Sequence, residues 1–269
     1  MPEHYSFKFA ESKITIHPDW TALFADNLKT LQKIGKKIKK EDFEPPAERV
    51  FVIFQKPRKS RRIIILGQDP YPQPGTATGR SFEVKGYRDW QEKTQNASLR
   101  NILKELYQEA RDLQKSPPIK EVRRKVSQIP EILSPAKLFQ TWEERGVFFL
   151  NTALTVRQGE PGSHQHLWQN FIRAVIATLA RTGRQKYWLL WGQEAQNYQD
   201  LIRAEETGDL ERLEKFEESY TGKNVIITAP HPSRYDFVGS GTFSHPVIKK
   251  ICLSQGGDCN ARQSAASIL

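Results

Sequence analysis

Four short apolar runs punctuate this chain: residues 63–66, 147–150, 187–191 and 225–228. Each is continuous and rich in β-branched or aromatic residues, as expected of a strand buried on both faces in a parallel sheet. Between them, apolar positions recur at helical spacing. Asp19 is placed to cap a helix through Trp20, Leu23, Phe24 and Leu28, and the lysine-dense 29–40 reads as a solvated helix face. Pro45-Pro46 opens a second helix that buries Val50, Phe51 and Phe54. Leu99, Ile102, Leu103, Leu106 and Tyr107 mark an amphipathic helix starting near Asn96 or Ser98. Trp142 belongs to a helix ending near Gly146, and further helices are expected over 166–181 and 247–253. The stretch before His17 reads as irregular, 115–135 as a proline-interrupted surface excursion, and 194–218 as a net acidic helical segment with few apolar anchors. Strands alternating with helices predict one α/β domain over 1–254. Its central four-stranded, mainly parallel sheet would carry helices on both faces, ahead of a flexible polar tail at 255–269.

The ends of these strands carry the candidate chemistry. Gly67 closes the first run, and Pro70 and Pro72 forbid further ladder pairing while stiffening the backbone around Tyr71. Asp69 is therefore held at the carboxyl end of a central strand, where open α/β sheets bind their ligands. Asn151 follows the second run and His231 the fourth, so acid, amide and imidazole converge on one rim. Such a set suits recognition of a planar hydrogen-bonding ligand combined with polar chemistry.

Composition narrows the partner. The formal charge is +10 and the isoelectric point near 9.5, which favours nucleic acid over an acidic membrane. The basic loop 56–62 lies at the sheet end opposite Asp69, so its charge reads as a steering field. Two cysteines, Cys252 and Cys259, exclude a disulfide framework and four-cysteine metal or cluster sites, and a reducing cytoplasm is the default compartment. No apolar run approaches the length of a membrane span.

Four segments resemble the family 1 uracil-DNA glycosylases: Gly67-Gln68-Asp69-Pro70-Tyr71, Gly79-Arg80-Ser81-Phe82, Phe149-Leu150-Asn151-Thr152-Ala153-Leu154-Thr155-Val156 and His231-Pro232-Ser233. His17-Pro18-Asp19-Trp20, Pro45-Pro46, Ser98-Leu99-Arg100-Asn101-Ile102 and Trp191-Gly192 follow in the same order, so the likeness spans nearly the whole chain. It implies hydrolysis of the N-glycosidic bond of uracil in single- or double-stranded DNA, after the base is extruded. It implies no metal or organic cofactor and a monomer, and it makes the proteinaceous inhibitors of the family candidate partners, with sensitivity to them left open by the sequence. By the same resemblance, Phe82 stacks on uracil, Asn151 reads its edge, and Tyr71 excludes a thymine methyl. Asp69 orients water and stabilises the cationic sugar, His231 stabilises the uracil anion, and Gln68 contributes its backbone. Pro70, Ser98 and Ser233 fall at DNA contacts. The wedge that fills the vacated base position becomes Tyr235 within Arg234-Tyr235-Asp236, where the family usually carries a leucine. Arg80 and Glu83 alter the usual surroundings of Phe82, and insertions near 115–135 and 194–222 are longer than typical. Two alternatives stand beside this reading: a DNA-binding relative that has lost turnover, and a glycosylase of shifted base specificity.

Overall fold

The computed structural model describes residues 4–92, 96–181, 185–207 and 224–253. At its centre four strands pair in parallel in the order β5-β4-β7-β8: β4 (Ile63–Gly67), β5 (Val147–Asn151), β7 (Lys186–Trp191) and β8 (Asn224–Ala229). Side chains alternate across the sheet. Ile64, Leu66, Phe148, Leu150, Trp188 and Leu190 enter one core, whereas Ile63, Ile65, Val147, Phe149, Leu189 and Trp191 enter the other.

The first core is closed by α1 (Thr21–Asp26), α2 (Leu28–Ile38), α6 (Gln165–Ala180) and α8 (Gln199–Thr207), the second by α3 (Ala97–Ala110), α4 (Ile119–Val126), α5 (Pro135–Glu144) and α9 (Pro246–Cys252). The result is the three-layer α/β/α sandwich that the alternation of strands and helices implies. A short α7 (Gln193–Gln196) caps the exit of β7, and β3 (Phe43–Glu44) pairs antiparallel with β6 (Val156–Arg157) beside the rim. Among the described residues, no helix is long and apolar enough to cross a membrane.

Several local expectations are corrected. The chain does not open irregularly: β1 (Tyr5–Phe9) and β2 (Ser12–Ile16) form a hairpin whose two-residue turn, Ala10 and Glu11, has φ of 44° and 73°. Asp19 does not cap a helix. It lies in a 3-10 turn, and the His17 imidazole accepts from its N–H. Pro45-Pro46 leads into 3-10 turns, Ala47–Arg49 and Val52–Gln55, that nevertheless bury Val50, Phe51 and Phe54. The 115–135 stretch is packed as well as exposed: Val122 and Val126 of α4, with Ile129 and Ile132, reach the second core. Within 56–62, Arg61 is buried beneath Phe148 and donates to the Glu143 and Val147 carbonyls, so it adds little to any surface field. Burial holds its pKa down at about 10. The acidic segment is helical through Thr207, while 208–223 and the tail lie outside the described residues.

Candidate active site

The parallel register sets Gly67, the last residue of β4, beside Asn151, the last residue of β5. A Cβ on Gly67 would lie 2.5 Å from Asn151 Oδ1 and 3.2 Å from the Phe82 ring, so only glycine lets amide and ring close over the strand end. Asn151 is buried, and among the described residues its amide has no hydrogen-bond partner. An amide can both donate and accept, so at this strand end it suits a ligand with a hydrogen-bonding edge.

Phe82 forms the adjacent wall. Its ring centroid lies 5.2 Å from Trp191 and 6.0 Å from His231, and its backbone is held at a φ of 64°. Ser81 tucks between the strand ends, its N–H donating to Phe149 O and its hydroxyl to Ile65 O. The Tyr71 hydroxyl lies 3.4 Å from both Phe82 O and Asn96 Oδ1, joining the loop after β4 to the Phe82 segment. Burial pushes this phenol well above its usual range, so it stays neutral.

Asp69 lies two residues beyond Gly67. Its Oδ2 accepts the Gly162 N–H at 2.5 Å. Burial raises the carboxyl pKa, the Gly162 and Asp69 N–H groups oppose that rise, and Glu194 adds to it. The loop bearing Gly162 is braced by a hydrogen-bond chain. Trp168 Nε1 donates to Thr155, the Thr155 hydroxyl lies 3.0 Å from His164 Nδ1, and His164 Nε2 lies 3.0 Å from Glu41. The Glu41 carboxylate can only accept, so His164 Nε2 carries a proton toward it. Pro70 is buried behind Asp69, and Gln68 turns its carbonyl inward to accept from Ala153 N and Thr152 Oγ1.

His231 emerges two residues after β8. The Ser233 N–H donates to its Nδ1 at 3.2 Å, with the Ser233 hydroxyl 2.8 Å from the same atom. A main-chain N–H can only donate, so Nδ1 is the acceptor and the ring proton sits on Nε2. Burial lowers the imidazole pKa, which favours the neutral form. Gly192, at φ 89°, makes room for this ring: a Cβ there would sit 2.9 Å from His231 Cβ.

The rim is thus assembled from Asp69, Tyr71, Phe82, Asn151 and His231, all read from the sequence. The DNA-contact set is more dispersed. Ser98 is buried in the first turn of α3, Ser233 is exposed, and Tyr235 is 87% exposed. Arg234 is bound through two nitrogens to Asp236, so its charge is already balanced.

Sequence reasoning missed the struts. Asn101 Nδ2 donates to the Pro232 and Arg234 carbonyls at 2.7 and 2.9 Å, tying the His231 loop to α3. One turn on, Glu105 accepts from Gly239 and Gly241 N–H groups, and Trp191 Nε1 donates to Thr242. The available signal was a polar pair at i,i+4 on the otherwise apolar face of α3, since buried polar groups require partners.

The family model described as the Uracil DNA glycosylase superfamily matches residues 54–246. A protein of Halalkalibacterium halodurans named "Uracil-DNA glycosylase" is 35% identical over 205 residues, which is 74% of this chain and 72% of that protein. In fold, the chain is similar to the wild-type UNG crystal structure from Nitratifractor salsuginis, with a TM-score of 0.64 at 21% identity over 89% of this chain and 93% of that one. It is also similar to a single-site variant of mimivirus UNG crystallised in complex with UGI, with a TM-score of 0.59 at 22% identity, covering 81% and 71% of the two chains.

Proposed function

The chain belongs to the uracil DNA glycosylase superfamily, and on that premise we propose how its rim excises uracil from DNA. The reaction is hydrolysis: water adds to the sugar C1′, the bond from C1′ to uracil N1 breaks, and free uracil leaves an abasic site. An extruded uracil stacks on Phe82, and its edge pairs with the open amide of Asn151. Cytosine, with donor and acceptor reversed, would leave those buried groups unpaired. Tyr71 closes the side on which thymine carries its methyl.

As the glycosidic bond lengthens, positive charge gathers on the sugar and negative charge on the base. The Asp69 carboxylate stabilises the first and takes the water's proton. The Nε2–H of a neutral His231 donates to the uracil oxygen, so charge is stabilised where it develops. Gln68 contributes through its main chain. Pro70, Ser98, Ser233 and Arg234 meet the DNA backbone, and Tyr235 enters the space left by the base, where an aromatic ring stacks on neighbours of any sequence.

The observation that carries this reading is the closure of Asn151 and Phe82 over Gly67, with Asp69 two residues further along the chain and the His231 ring 6.0 Å from that of Phe82. Inhibitor proteins of the kind bound by the mimivirus relative would compete for the same rim, and the protein acts as a monomer. The test is release of free uracil from uracil-containing oligonucleotides, single-stranded and duplex, in the presence of a chelator. Release by the parent and its loss in Asp69→Asn is expected. Silence on both substrates with DNA binding retained would favour the non-catalytic alternative.

A further inference from the structure

Arg80 and Glu83 flank Phe82 in sequence, and the structure joins them over it. Arg80 Nη1 meets Glu83 Oε2 at 3.0 Å, so the pair straps the Ser81-Phe82 dipeptide at an i,i+3 spacing. The other fork of the same guanidinium meets Glu143 Oε2 of α5 at 2.8 Å. All three side chains are shielded from water, with exposures of 15% for Arg80, 19% for Glu83 and 4% for Glu143. Between the strapped ends, Phe82 holds a φ of 64°, a left-handed conformation that a bulky aromatic residue adopts only when its surroundings enforce it. Its ring closes on Gly67, Trp191 and His231, and a relaxed backbone would swing it off that position.

We infer that Arg80, bridging Glu83 and Glu143, is a positioning residue that locks the strained Phe82 backbone and so pre-forms the stacking wall for the base. Only arginine suits the role, because its planar fork binds two carboxylates at once where lysine offers a point charge. Glu143 ties the strap to the fixed second core, since α5 also gives its Glu143 carbonyl to Arg61. The inference rests on the reading of the rim as a uracil site.

The test uses the full chain and free uracil as the probe, titrated by calorimetry, in parallel with uracil release from a single-stranded oligonucleotide. Glu83→Ala cuts the strap and leaves the Arg80–Glu143 pair. The triple variant Arg80→Met with Glu83→Gln and Glu143→Gln removes the anchor without stranding a buried charge. Thermal unfolding identifies the folded variants. Uracil affinity is expected to fall about tenfold in each, with kcat/KM falling in step and affinity for uracil-free DNA unchanged. Glu83→Gln, which keeps an acceptor, should recover part of the loss. Parent-like uracil affinity in the folded variants would overturn the inference alone. A parent that binds no uracil would overturn the reading of the rim and this inference with it.

Discussion

The main-chain N–H of Ser233 donates to Nδ1 of His231, and this single contact decides which face of the imidazole carries a proton. Burial also lowers the imidazole pKa, so in the proposed mechanism the ring would act as a neutral donor. Activity should therefore stay level through the range near pH 6.5 where an exposed histidine titrates. Nitrogen NMR of the labelled ring should find Nε2 protonated and Nδ1 bare. Ser233→Ala keeps the N–H, so that signature should persist, while His231→Leu should lower kcat by about 10²- to 10³-fold.

Asp69 makes the opposite demand on pH. Burial raises its folded pKa, so the acid limb of the rate profile should fall above the range of an exposed carboxylate. The same shift acts on stability. A carboxyl with a raised folded pKa stabilises the fold while protonated and loses that contribution as pH rises through the folded value. Asp69→Asn should thus cost about 10²- to 10⁴-fold in kcat yet raise Tm at neutral pH. The gain in Tm should vanish in acid, where the parent is protonated too. Thermal scans across pH, paired with the rate profile, check both halves.

Asn101 makes no part of the rim, yet it holds the two carbonyls that shape the His231 loop. Asn101→Ala leaves those carbonyls without their donor and should destabilise the protein by about 1–3 kcal/mol. At a temperature where the variant remains folded, kcat should drop more than KM rises, because a loosened His231 matters most as charge develops.

Tyr235 projects into solvent, supported by the Arg234–Asp236 pair. Tyr235→Ala should leave Tm within experimental error. Its cost should appear on duplex substrates alone, as a fall in kcat/KM of about 5- to 100-fold, the worth of one stacked base. Equal losses on single strands would show that the ring contributes to binding without filling the duplex.

The sheet was legible because each of its strands is a compact apolar run, and the rim was legible because three of the four runs lead into a residue with chemistry to offer. The amino-terminal hairpin was missed for a definite reason. Phe7, Phe9, Ile14 and Ile16 alternate with polar residues, but the turn uses Ala10 and Glu11 at positive φ without a glycine or asparagine to signal it. The helix at Ile119–Val126 was hidden by the prolines and charges around Val122 and Val126. Glu105 and Asn101 were out of reach in another way: their partners lie more than 130 residues along the chain, and no local pattern records them.

Gly67 and Asn151 are ladder neighbours as well as site residues. Gly67 stands on an inner strand, whereas Asn151 ends the edge strand β5, so on the proposed reading the floor under the base is anchored to the sheet from one side. The His231 loop is tied instead by side-chain hydrogen bonds from Asn101. On the proposed reading, discrimination between bases rests on ladder-paired backbone, and the grip on the DNA on a loop held by side chains. Substitutions in that loop's struts should therefore alter engagement with the strand more than the discrimination between bases.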